Sequence, residues 1–283
     1  MGFRAKPRVN PTSELGVNQR DSLLASTRRD PGLTDRMPTQ TYSTVLLVGG
    51  YGTRMHELTE GRMPKALVEV GGKPLLDYTL ESLTYKGIVD DVIFAVGHHS
   101  KRLVNWVSEQ ERGFDFDFSR QQTPGIAAAV MAAANRTVSQ NLIVGNGDEI
   151  HFNLALRDAL LHHEQSRALV TAVVTNPANT LAQSMMFDIG HDGSVKGAAK
   201  PQELTDEQIA SGNWLKHAGV TIMRREAIKH IDPTKRNWDD GVNLPLVHAG
   251  VLKAYVDVGV VFFNVNSRRE VHAATRYMNS LEQ

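Results

Sequence analysis

No cysteine occurs in the chain, which removes disulfides, thiolate metal sites and a cysteine nucleophile together and agrees with a reducing compartment. Nor is there an excess of either charge. Lys plus Arg and Asp plus Glu both number 31, so no net field recruits nucleic acid or an anionic membrane, and any anion site must be a local cluster. No apolar run reaches the roughly 18 residues of a membrane span, and the basic start at Arg4, Lys6 and Arg8 leads into no apolar signal region. The expectation is a cytoplasmic protein with neither nucleic acid nor membrane as partner; a homo-oligomer stays open.

What is present, 283 residues with 41% hydrophobic content, can build a core that needs no disulfide or metal to hold it. Residues 1–40 are rich in Arg, Ser, Thr, Pro and Asn without sustained periodicity, which predicts a flexible N-terminal extension. A single domain is expected over residues 41–283.

Thr44-Val45-Leu46-Leu47-Val48 is a short apolar run ending in glycines, the pattern of a parallel strand buried on both faces. Residues 74–83 carry apolar positions at helical spacing, with Pro74 at the start and Gly87 after the end. A strand over 91–96, a polar helix near 101–110, a short strand over 114–118, an alanine-rich helix over 126–134 and a strand over 141–144 continue the alternation. The fold class this implies is α/β, a Rossmann-like, mostly parallel sheet flanked by helices. Ligands of such sheets sit beyond the strand C-termini.

The second half changes character. Residues 168–175 read as a strand, and 185–189 with 195–199 as a hairpin across Gly190-His191-Asp192-Gly193. Further strands fall within 214–224 and 251–265, helices near 225–231 and 241–248, and a last helix from about 268 to 281. An additional mixed or antiparallel β region is therefore expected, without an internal repeat and without a C-terminal β-helix.

The chemistry concentrates after the first strand. In Gly49-Gly50-Tyr51-Gly52-Thr53-Arg54-Met55 three glycines let the backbone approach a ligand and aim its N–H groups at phosphate oxygens. Arg54 and, in Pro64-Lys65, Lys65 add two positive charges where a triphosphate would lie. The P-loop pattern is absent, and Gly50-Tyr51-Gly52 lacks the third glycine of the dinucleotide fingerprint. A glycine loop alone is also compatible with a tight turn that binds nothing.

The ordered run Leu47-Val48-Gly49-Gly50-Tyr51-Gly52-Thr53-Arg54-Met55, Pro64-Lys65-Ala66-Leu67-Val68 and Gly72-Lys73-Pro74-Leu75-Leu76 resembles the N-terminal signature of the sugar-1-phosphate nucleotidyltransferases. Two departures stand inside it. The stretch 58–63 is one residue longer than usual, and Glu57 replaces a common proline.

The resemblance implies a nucleotide held over Gly49, Gly50, Gly52 and Thr53, with Arg54 and Lys65 on its triphosphate. It makes Asp148, in Leu142-Ile143-Val144-Gly145-Asn146-Gly147-Asp148, a ligand of Mg²⁺. A carboxylate at a strand C-terminus suits that role independently, since Mg²⁺ takes one or two carboxylates plus phosphates; capping of the next turn is the plainer alternative. Gln121, Gln122 and Gly125 resemble the stretch that contacts the base. Lys200, before Pro201, takes the place of the lysine on the sugar phosphate, although Ala199 replaces the usual acid. His217 and Gly219, in His217-Ala218-Gly219-Val220, resemble the strand that meets the sugar, with His217 where Asn is common; a core histidine is the alternative.

Near the end, Phe262-Phe263-Asn264-Val265-Asn266-Ser267 has Asn264 in place of the second metal-binding aspartate. Three readings follow: a site resting mainly on Asp148, a shifted site recruiting an acid such as Asp257, or a nucleotide-sugar sensor that no longer turns over. The expected reaction joins a nucleoside triphosphate to a sugar 1-phosphate and releases pyrophosphate, with Mg²⁺ as cofactor. A cytidylyltransferase for phosphocholine is the rival, and it needs an aromatic cage, for which Trp214, Trp238, Phe262 and Phe263 lie in suitable segments. The pairs His98-His99 and His162-His163 read as unrelated to metal because adjacent side chains point apart. Asp239-Asp240 reads as a helix N-cap.

Overall fold

The computed structural model describes residues 36–50, 55–60, 63–97, 100–120, 123–180 and 182–281. The first strand, β1 (Tyr42–Leu47), pairs in parallel with β4 (Val89–Ala95) on one side and β6 (Asn141–Asn146) on the other, and β4 pairs in parallel with β5 (Asp115–Ser119). Alternation places Val45 in one core and Leu46 in the other, so β1 is covered on both faces.

One face is covered by α2 (Leu75–Leu83), which follows Pro74 and buries Leu75, Leu76, Thr79, Leu80 and Leu83, by α3 (Ser100–Ser108) and by α5 (Leu156–Ser166). Spacings of three and four put these leucines on one stripe. On the other face lies α4 (Ile126–Ala134), whose alanines give a close approach to the sheet. The helix α1 (His56–Thr59) and the short strands β2 (Glu69–Val70) and β3 (Lys73–Pro74) lead from β1 to α2.

The second half builds the antiparallel extension. The strand β11 (Trp214–Arg224) is long enough to serve several neighbours: one edge pairs with both β6 and β9 (Met186–Ile189), the other with β8 (Val170–Thr175). The expected hairpin is present as β9 and β10 (Val195–Ala199), and β12 (Leu252–Val256) adds to β8 in parallel. The register of β11 against β8 shifts between His217 and Thr221, where Gly219 has φ +79°. Such a bulge bends the strand locally.

A separate two-stranded ladder joins β7 (Glu149–Phe152) to β13 (Val261–Asn264), with Glu149 opposite Asn264 and His151 opposite Phe262. Ile150, Phe263 and Val265 pack there against Met55, Val70 and Leu75, and the last helix, α8 (Arg268–Leu281), closes this small core with Ala274, Tyr277 and Met278.

Several local expectations need correction. Residues 225–231 form a 3₁₀ turn, Arg225–His230, rather than an α-helix. The segment near 241–248 is a π-type turn, Asp239–Asn243, running into α7 (Leu244–His248). Pro245 has no N–H to give the carbonyl four residues back, and that carbonyl, of Gly241, accepts from the amide of Asp232 instead. Asp239 and Asp240 lie in the first turn of this segment, with Trp238 at the cap. The short helix α6 (Asp206–Ala210), β7 and α5 have no counterpart among the sequence-based elements. Of the first forty residues, Thr39 and Gln40 donate their amides to the Glu164 carboxylate.

Candidate active site

The site forms where β1 and β6 end side by side. The amide of Gly147 donates to Leu47 O (3.1 Å), and a β carbon on Gly147 would stand 2.4 Å from Val48 Cγ1, so only glycine lets the β6 chain turn across the start of the loop. Gly49 packs against the backbone of Gly97 with no room for a side chain, whereas no atom of the described residues stands within 4 Å of a β carbon on Gly50. Gly49 is thus constrained by packing. Gly52, Thr53, Arg54, Gln121, Gln122, His98 and His99 lie outside the described residues.

Lys65 opens a 3₁₀ turn, Lys65–Leu67, that aims its ammonium across the end of β6. The Lys65 Nζ forms an ion pair with Asp148 Oδ2 and donates to Asn266 Oδ1 at 2.7 Å. The two charged side chains are 12% and 25% exposed, open enough for ligand entry and shielded enough to strengthen their field. Asp148 is fixed by its own backbone, because its carbonyl accepts from the amide of Val265 at 3.0 Å. That bond draws the end of β13 to the turn after β6.

Asn264 enters the same group. Its Oδ1 accepts from Asn266 Nδ2, and its Nδ2 donates to Glu149 Oε1 at 3.3 Å. Asn146 Nδ2 donates to the same Glu149 oxygen at 3.0 Å. Burial, with the Asp148 charge adding to it, pushes the Glu149 carboxyl up to about 8. Its Oε2 has no hydrogen-bond partner among the described residues.

The ligand atoms this group offers are oxygens, the Asp148 carboxylate and, linked to it through Lys65 and Asn266, the Asn264 amide, which suits a hard cation such as Mg²⁺ rather than a thiolate-seeking or imidazole-seeking metal. Among the described residues no three acidic or histidine side chains converge to hold an ion unaided. A cation here would complete its shell with phosphate oxygens and water.

At the bulge of β11, Gly219 lies against the Glu149 carboxyl. His217 is buried, its Nε2 within 3.2 Å of Val220 O and 3.1 Å of Thr221 Oγ1, and its ring is stacked on Trp238 with centroids 6.4 Å apart. Burial pushes this imidazole down to about 4, so it is neutral at physiological pH. Lys200 is exposed at the head of the turn Pro201–Glu203, and no hydrogen bond or ion pair among the described residues joins it to Lys65 and Asp148. Gly125, with φ +145°, precedes α4, and a β carbon there would stand 2.7 Å from Lys235 O.

Asp257 is not a spare ligand. Its Oδ2 accepts from the Ala155 amide and its Oδ1 from those of Gly259 and Val260, so backbone donors occupy both oxygens. The aromatic side chains considered for a cage do not assemble either. Phe262 stacks on His151, Phe263 packs on Phe152 and Tyr277, and Trp238 faces His217. In α5, His162 faces Tyr255 while His163 bonds Thr171 Oγ1, so the adjacent histidines do point apart.

Two residues of the group had received no role from the sequence, Asn266 and Glu149. A signal existed for Asn266, since positions two apart along an extended segment share a face and Asn264 was already of interest. Glu149 had only its place after Asp148, which says nothing of β13.

Comparison with known proteins gives the family and the fold. The profile of a family described as nucleotidyl transferase matches residues 43–250. The mannose-1-phosphate guanylyltransferase catalytic subunit beta of Danio rerio is 32% identical over 177 residues, which are 60% of this chain and 48% of that protein. A mannose-1-phosphate guanyltransferase of Gibberella zeae is 27% identical over 223 residues, 76% of this chain and 60% of that protein. The chain thus spans about half the length of the curated relatives it matches. Among solved structures, the inositol-1-phosphate CTP transferase from T. maritima shares the fold with a TM-score of 0.66 at 15% identity, over 86% of this chain and 98% of that one.

Proposed function

The chain belongs to the nucleotidyl transferase family, and from that premise we propose that it condenses a nucleoside triphosphate with a sugar 1-phosphate, giving a nucleoside diphosphate sugar and pyrophosphate. The observation that carries the proposal is the meeting of Lys65, Asp148, Asn264 and Asn266 at the common end of β1 and β6.

In the proposed step an oxygen of the sugar phosphate attacks the α-phosphorus in line. The bond from that phosphorus to the bridging oxygen breaks, and pyrophosphate leaves with the electron pair. The attacking phosphate is already ionised at neutral pH, so no general base is needed. Lys65 lies where it can exchange Asp148 for a phosphate oxygen, neutralising charge that builds on the leaving group. Bound Mg²⁺ would supply Lewis-acid neutralisation of the phosphates, held by Asp148 with the Asn264 oxygen. Arg54, Thr53 and the glycines of the loop are assigned to the triphosphate, Gln121, Gln122 and Gly125 to the base, and Lys200, His217 and Gly219 to the acceptor. The reading places the enzyme in the cytoplasm with its triphosphate supply.

The names of the relatives make GTP with mannose 1-phosphate the first pair to try. Pyrophosphate release should be measured with Mg²⁺ across the common triphosphates and a panel of sugar 1-phosphates, with phosphocholine included. Release that depends on one triphosphate and one sugar phosphate is the expected result. Nucleotide binding without release from any pair would instead support the sensor reading that Asn264 raised.

A further inference from the structure

We propose that Glu149 is a positioning residue for this site, holding the Asn264 amide so that its oxygen, not its nitrogen, faces Asn266 and, through it, the Lys65 and Asp148 pair. The inference rests on the reading of Asp148 and Asn264 as the cation-binding side of the site.

The argument is one of hydrogen-bond direction. An ammonium can only donate, so Asn266 meets Lys65 with its Oδ1, at 2.7 Å. Asn266 then turns its nitrogen to Asn264, which must accept through Oδ1. The remaining Nδ2 of Asn264 points inward to Glu149 Oε1, 3.3 Å away. A donor-only group stands at one end of this chain and an acceptor oxygen at the other, so both amides have one self-consistent orientation. Flipping Asn264 would set nitrogen against nitrogen at Asn266 and turn its oxygen to the Glu149 Oε1 that already accepts from Asn146.

Glu149 is built in as a fixed end. It is 2% exposed and stands directly opposite Asn264 in the ladder of β7 and β13. Its backbone carbonyl accepts from Thr79 Oγ1 at 2.8 Å, and Asn146 secures the same side-chain oxygen that receives Asn264. Oε2 rests on Gly219, where a β carbon would stand 2.0 Å away. His151 Nε2, 4.0 Å from that oxygen, is engaged with Ala218 O at 2.8 Å, and burial keeps its ring neutral. With Oε1 taken by two amides and Oε2 covered by backbone, Glu149 acts through Asn264 rather than as a ligand itself. A buried acid is costly to desolvate, and an apolar side chain would fill the space while leaving both amide nitrogens without their acceptor.

The test compares the purified full chain with Glu149→Gln, Glu149→Leu and Asp148→Asn. The readouts are Mn²⁺ binding followed by its paramagnetic resonance, and the side-chain amide NMR signals of Asn264 and Asn266 in the metal-free protein. Glutamine still accepts through its oxygen, so it should retain both the wild-type amide signals and the wild-type Mn²⁺ affinity. Leucine should displace the amide signals and weaken Mn²⁺ binding about tenfold or more, as loss of a partner that orients a ligand does; Glu149→Met serves the same purpose should leucine misfold. Wild-type amide signals and Mn²⁺ affinity in a folded leucine or methionine variant would overturn the proposal. Unchanged Mn²⁺ binding in Asp148→Asn would overturn the cation reading of the site itself, and the amide signals would then still decide whether Glu149 sets the orientation.

Discussion

Gly219 and Glu149 occupy each other's space: the carboxyl lies where any side chain at position 219 would begin, 2.0 Å from the site of its first carbon. The glycine also holds φ +79° in the bulge of β11. Two separate causes therefore exclude alanine here. Gly219→Ala should lower stability by more than about 1 kcal/mol in denaturant unfolding. Combining it with Glu149→Ala should recover the part due to the clash and leave the part due to φ, so non-additivity in that cycle is the expected outcome.

The Lys65 and Asp148 pair is partly open to solvent, and such pairs contribute little to stability. Lys65→Ala and Asp148→Ala should lower kcat by about a hundredfold or more, the scale of a lost electrostatic contact to the transition state. The thermal midpoint should stay near the wild-type value. A large drop in that midpoint would make the pair a structural device.

Restoring an acid at position 264 is not a simple gain. Asn264→Asp removes the amide donor to Glu149 and sets a carboxylate against a buried carboxyl, so weaker folding at alkaline pH is expected together with tighter Mn²⁺ binding. Adding Glu149→Gln supplies a donor and removes the buried acid. The double variant should recover stability and keep the tighter binding. If Mn²⁺ affinity is unchanged in both, position 264 lies outside the cation site.

Buried His163 sets the acid limit. Burial, then the nearby charge of Arg224, push its imidazole down to about 4 from an ordinary 6.5. The unfolded chain therefore takes up the proton first as pH falls, and the stability His163 contributes is whole above pH 6.5 and lost on the way to 4. The loss should be roughly 2 kcal/mol between pH 6.5 and 5. His163→Gln should flatten that part of a pH series of unfolding midpoints; an unchanged slope would show that the imidazole is reached by water.

Glu149 acts with the opposite sign. Its raised folded pKa, about 8 against an ordinary 4.5, means the folded state holds the proton longer, so its contribution is whole below pH 4.5 and lost as pH rises through 8. Between pH 6 and 8 the chain should lose roughly 2 kcal/mol from this group. Glu149→Gln should remove that decline in the same series of midpoints.

The sequence determined the first half of the fold almost completely. A β-branched run flanked by glycines and helices with a leucine stripe can bury their apolar surface only as covered parallel strands, so β1, α2, β4, α4 and β6 follow from local pattern. It also marked Lys65, a charge near the glycine loop, and Asp148, a carboxylate at a strand end, while Asn264 was marked only through the resemblance of its motif to the family's. What it could not determine is which of them meet. The segment Glu149-Ile150-His151-Phe152 carries an acid and a histidine at alternate positions, which reads as a solvated face until β11 and β13, from more than sixty and a hundred residues further on, cover it. Only that tertiary closure makes Glu149 a buried end-point for two amides, brings Asn266 within reach of Lys65, and assigns both oxygens of Asp257 to the backbone. Local spacing sets which way a side chain leaves its strand; the pairing of strands distant in sequence decides what it finds there.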